Sequence, residues 1–91
     1  MQMRGVVTVI GKDKVGIVAG VSQKLAEQKI NILDVSQTIM GDYFTMMMLV
    51  DLTNATVDFE GAREQLHELG QSLGVKISIQ NQEIFDTMHK L

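Results

Sequence analysis

The sequence predicts an α+β fold of the ferredoxin-like kind. Four antiparallel strands form a sheet with two helices on one face, in the order βαββαβ, and a short C-terminal helix follows. Three observations carry this. Short β-branched or alternating runs at 3–10, 32–40, 43–52 and 75–80 read as strands. Apolar residues spaced three and four apart at 17–28 and 59–73 read as amphipathic helices. Right-handed crossovers of two βαβ halves then put both helices on the same side of the sheet.

The elements follow in order. Met3–Ile10 is short and rich in valine, as a buried strand requires. Ile17, Val18, Val21 and Leu25 mark the buried stripe of a helix over Ile17–Gln28, leaving Gln23, Lys24, Glu27 and Gln28 toward water. Asn31, which tolerates left-handed backbone, is expected to close it. Ile32–Met40 and Tyr43–Leu52 flank Gly41-Asp42, a hairpin turn in which glycine can supply a positive φ. In the second of these strands Phe44, Met46, Met48, Val50 and Leu52 share one face, while Met47 and Leu49 lie on the other. Asp58 is placed to cap a helix over Phe59–Leu73, whose stripe is Phe59, Ala62, Leu66, Leu69 and Leu73, and Gly74 ends it. Val75, Ile77 and Ile79 give the last strand one buried face. Ile84, Phe85, Met88 and Leu91 line up as one stripe of a helix over 83–91, expected to dock on sheet surface that the main helices leave open.

Ninety-one residues without a linker or internal repeat make one domain over 1–91, with a core at 3–80. A net charge of −3 with no basic run argues against nucleic acid or an anionic membrane as partner. One tyrosine and three phenylalanines are too few for a base-stacking sheet. The absence of cysteine removes disulfide and thiolate chemistry, and the N-terminal apolar run is too short for a signal peptide or a span. The expectation is a cytoplasmic protein.

Residues able to do chemistry are sparse. His67 and His89 have no companion at metal-ligand spacing, and Met46-Met47-Met48 cannot converge on one ion because successive strand residues point to opposite faces. No cofactor, metal or catalytic residue is expected. The stretch "GKDKVGIVAG" at 11–20 is different. Gly11 and Gly16 have the spacing of a phosphate-binding loop, but Ile17-Val18 stand where its Lys-Ser/Thr belongs. What remains is a strand turning into a helix through glycines, with Asp13 between Lys12 and Lys14. A helix N-terminus suits a carboxylate and an aspartate suits an ammonium, so one loop could hold an amino acid at both ends. The residues alone leave open the alternative that Asp13 merely caps the turn.

"DKVGIVAGVS", followed by "LAEQKINILDVSQ", resembles the ACT-domain family of small-molecule regulatory modules. An acidic residue, a turn and a helix-opening glycine are followed about fifteen residues later by the element Lys29-Ile30-Asn31-Ile32. The resemblance spans residues 3–80. "SQTIM" and "FTMMMLVD" make the chain similar to the small stand-alone ACT proteins of the UPF0237 kind, related to the glycine-cleavage repressor. It implies the same ferredoxin-like fold and an amino acid or similar molecule bound where two chains meet. The implied ligand residues are Asp13, Val15, Gly16 and Ile17 of one chain, with Asn31, Ile32 and Leu33 of the other. Many family members have proline where this chain has Val15, so the loop here is less constrained. The function expected is a regulatory binding module acting through a separate protein, such as a regulated enzyme. The alternative is a ligand-free dimerisation module. An enzyme of the acylphosphatase kind would need an arginine in the first loop, and there is none.

A homodimer is expected in either case, paired by strand edges or by sheet faces. The uncovered face carries Met47 and Leu49, with either Val35 and Ile39 or Ile32 and Met40 added according to the alternation of the second strand.

Overall fold

The computed structural model describes residues 3–12, 16–83 and 86. Its elements are β1 (Arg4–Lys12), α1 (Ile17–Glu27), β2 (Asn31–Met40), β3 (Tyr43–Asp51), α2 (Phe59–Leu73) and β4 (Lys76–Asn81). The strands form one antiparallel sheet in the order β2-β3-β1-β4. The predicted βαββαβ fold is therefore found, with shifts of one or two residues at strand ends. Gly11 and Lys12 extend β1 by pairing with Phe44 and Tyr43.

Both helices cover one face of the sheet. Val7, Val9, Phe44, Met46, Met48, Val50, Ile77 and Ile79 form its buried side. Ile17, Val21 and Leu25 of α1 and Ala62 and Leu66 of α2 press onto it. The methionine run divides as strand geometry dictates: Met46 and Met48 are fully buried while Met47 faces the other way. Asp58 accepts a hydrogen bond from the Gly61 N–H at 2.7 Å and so satisfies one orphan donor of α2. Gly74 ends that helix with φ of 74°.

Three local expectations need correction. Gln28 is buried, 4% exposed. Its side-chain amide donates to the Gln65 Oε1 of α2, and its carbonyl accepts from the Thr56 N–H at 2.9 Å. It thus ties the end of α1 to α2 and to the loop before it. Val18 is 40% exposed, because it lies at the edge of the stripe rather than in it. The left-handed residue after α1 is Lys29, with φ of 57°, and Asn31 opens β2 instead.

A bulge at Leu33 changes the face pattern of β2. Ile32 pairs with Val50 and Asp34 with Leu49, so Leu33 is the extra residue. Ile32, Val35 and Ile39 consequently all lie on the helix side, opposite Val50, Met48 and Phe44. Only Met40 joins Met47 and Leu49 on the uncovered face, so neither simple alternation holds. The expected helix at 83–91 lies mostly outside the described residues. Backbone at 82, 83 and 86 is helical, and Gln82 and Asp86 lie beside Val6, Met47 and Leu49 of the uncovered face.

Candidate functional site

The β1–α1 connection leaves the sheet at the row Lys12–Tyr43–Met40, beside the Gly41-Asp42 turn. Asp13 and Val15 lie outside the described residues. Gly16 is the N-cap of α1, with φ of 92° and ψ of −3°, and no side chain among the described residues caps the helix. Its carbonyl takes the first helical bond, from the Gly20 N–H at 2.8 Å. The first turn of α1 contains no acidic residue. Its N–H groups therefore carry partial positive charge with no carboxylate of the same turn to answer it. A Cβ built on Gly16 would meet no atom of the described residues within 4 Å, so it is the backbone angle that favours glycine here. Ile17 belongs to the core by its side chain, which leaves only its backbone available to a ligand.

The other predicted residues lie elsewhere. Asn31 starts β2 in the row Asn31–Asp51–Arg4, at the far end of the sheet. The nine residues of β3 separate the two rows by about 27 Å, at a rise of about 3.4 Å per residue. Asn31 and Leu33 are exposed, whereas Ile32 packs partly against the core. Within one chain, Gly16–Ile17 and Asn31–Leu33 are thus not brought together. Nearby, Asp51 accepts from the Thr53 hydroxyl at 2.5 Å and the Thr53 N–H at 2.8 Å. Those two bonds, with Arg4 beside it, hold the Asp51 carboxyl below its ordinary value.

Between these two rows runs the outer edge of β2. Among the described residues it has no strand neighbour beyond it, and almost every residue of it is exposed. Val35 and Ile39 project on its helix side at 42% and 60% exposure, opposite Met48 and Phe44 of β3. Sequence reasoning found the glycine loop and the hairpin but missed the bulge that places these side chains together; no glycine or proline marks it.

The remaining clefts are shallow. One of about 390 Å³ lies between α2 and β4, lined by Arg63, His67 and Lys76. Among the described residues no group of three His, Cys, Asp or Glu side chains could hold a metal ion. No helix among them is long and apolar enough to cross a membrane.

Comparison with known proteins agrees with this architecture. The ACT-domain family model matches residues 5–80. A UPF0237 protein of Listeria monocytogenes is 62% identical over 89 residues, covering 98% of this chain and 100% of the relative. The solved structure of an ACT domain protein from Streptococcus pneumoniae superposes with a TM-score of 0.83 at 49% identity, covering 94% of this chain and 97% of that one. The regulatory subunit of aspartate kinase from Thermus thermophilus shares the fold, with a TM-score of 0.65 at 23% identity over 88% of this chain and 55% of its own. With the family match spanning most of its length, the chain belongs to the ACT-domain family, among its UPF0237 members.

Proposed function

We propose that the protein is a regulatory module that senses an amino acid at a homodimer interface and passes the signal to a separate protein. One observation carries this: the described parts of the expected ligand site lie at opposite ends of a sheet whose intervening edge has no strand neighbour among the described residues and exposes Val35 and Ile39. Antiparallel pairing of two β2 edges about an axis near Gln37 sets Val35 of one copy opposite Ile39 of the other. The same pairing brings Leu33 of one copy to the Gly41 turn of the second, beside the second copy's β1–α1 loop. The open helix terminus at Gly16 then receives the ligand's carboxylate. Asp13 faces its ammonium group, and Asn31 to Leu33 of the other copy close the site. ACT-domain membership supports the regulatory role.

A thermal-shift screen of the twenty amino acids tests the reading. A ligand that binds only the folded dimer adds about 2.7 kcal/mol at a hundredfold excess over its Kd. One amino acid or a small related group is expected to raise the melting temperature, and Asp13→Ala to abolish the rise. A dimer that no amino acid stabilises would establish the ligand-free dimerisation module instead.

A further inference from the structure

The second edge of the sheet differs from the first. β4 has β1 on one side and, among the described residues, no strand on the other. Alternate residues of an edge strand turn their N–H and C=O groups away from the sheet, so half of the backbone groups along Lys76–Asn81 face outward. Helix α2 runs beside this edge at close range. A Cβ on Gly70 would stand 2.7 Å from the Val75 carbonyl oxygen and 3.3 Å from the Ile77 nitrogen, so only glycine lets the helix lie this near. Between helix and strand is the cleft of about 390 Å³, with Arg63, Glu64 and His67 on its helix wall. On the strand wall Ile77 and Ile79 are buried under the helix, so Lys76 and Ser78 point to the opposite face. Arg63 donates to Glu60 at 2.6 Å and lies over the Phe59 ring, 5.0 Å from its centroid. That bond takes one of its five donors. Three basic side chains thus border the cleft, against one carboxylate among its lining residues, Glu64.

We propose that this cleft receives an extended acidic segment of a partner protein, added to the sheet as a fifth strand beside β4. A groove with a strand edge on one side and a helix on the other fits an extended chain, whose backbone pairs with the edge whatever its sequence. Its side chains alternate between the two faces. Those on the helix face meet Arg63 and His67, and those on the other face meet Lys76, so carboxylates suit both. A second copy of β4 is the wrong occupant. It brings the same excess of basic side chains to the contact, and a lysine on an edge strand opposes such self-pairing. Combined with pairing at β2, it would also extend the sheet from molecule to molecule without closing. The edge is six residues long, so the contact is small, weak and sensitive to salt. It uses no residue of the proposed amino-acid site, and it gives the separate protein a place to bind.

Fluorescence anisotropy of the full chain with a labelled peptide of alternating glutamate and threonine, about eight residues long so as to span β4, tests the proposal. The peptide is expected to bind, and its lysine–threonine counterpart is not. His67→Glu/Lys76→Glu, at exposed positions, should weaken the acidic peptide about tenfold or more while leaving the melting temperature near wild type. The same peptide N-methylated at every residue keeps its charge but has no backbone donor, and should not bind. Amide exchange in the complex should slow along Lys76–Asn81 and not along Asn31–Met40. No binding at millimolar peptide, undiminished binding by His67→Glu/Lys76→Glu, or equal binding of the N-methylated peptide overturns the proposal. Protection along Asn31–Met40 instead would place the segment on the β2 edge and overturn it as well.

Discussion

Replacing Gly16 by alanine separates backbone from contact at the loop that opens α1. The residue holds φ of 92° and ψ of −3°, where an L side chain is strained. A Cβ there meets no atom of the described residues within 4 Å, so the cost lies in the backbone angle. Left-handed backbone costs a non-glycine residue about 1–2 kcal/mol. The stiffer unfolded chain returns about 0.4–1 kcal/mol. The net loss is about 1 kcal/mol, which for a domain of this size lowers the melting temperature by about 4–8 °C. Gly20 is the internal control. It lies within α1, where alanine gains about 1 kcal/mol of helix propensity. Its Cβ would approach the Leu73 Cδ1 at 3.3 Å, a contact that a flexible leucine can relieve.

The two substitutions, four residues apart, should therefore move stability in opposite directions in differential scanning calorimetry or urea titration. Gly16→Asn should recover most of the loss, since asparagine tolerates left-handed backbone better than other L residues. It nevertheless fills the space in front of the helix, so it should weaken whatever amino acid the thermal-shift screen identifies. Gly16→Ala melting at the wild-type temperature, or Gly16→Asn falling as far as alanine, would refute the backbone argument.

Four further outcomes follow from the structure. Asp58→Ala removes the acceptor for the Gly61 N–H and should cost about 1 kcal/mol in urea unfolding. Leu66→Ala, at a fully buried position of α2, should cost about 2–5 kcal/mol, a large part of the stability of a small domain. Asp51 has a folded-state pKa lowered from its ordinary value of 3.8, so its contribution is complete above that pH and is lost as pH falls through the lowered value; Asp51→Asn should flatten the acid limb of the stability profile. Val35→Glu/Ile39→Glu sets like charges against each other across the proposed β2 pairing and should halve the mean mass in sedimentation without lowering subunit helicity.

How much of this was legible in the sequence depends on what each residue responds to. The helix over Phe59–Leu73 was readable to the residue because cap, periodic stripe and terminal glycine agree. Met46 and Met48 were readable as core because strand alternation is local. Gln28 was not, since its burial depends on Gln65, a residue 37 positions away that a local pattern cannot supply. Val18 was misplaced for a related reason: periodicity identifies a stripe, but how far the neighbouring strand shelters its flank is a tertiary property.

The candidate site shows the same division more sharply. Its loop half was visible because a glycine at a strand-to-helix turn is a local signal, and the positive φ at Gly16 answers it. Its other half depends on the bulge at Leu33, which arises from pairing with β3. The bulge also makes chemical sense of an edge strand that would otherwise be awkward to leave exposed. Without the extra residue, Ile32 and Val35 would fall on opposite faces, and the helix side of the edge would hold a broken apolar row. With it, Ile32, Val35, Gln37 and Ile39 line one side, while Asp34, Ser36 and Thr38 line the other with Met40. An edge sorted in this way presents an apolar strip to a partner helix layer and a hydroxyl-bearing strip to the uncovered face. Pairing with a second β2 edge would cover the first strip. A register slip by one residue would exchange the two strips, so the bulge fixes which surface each contact can use.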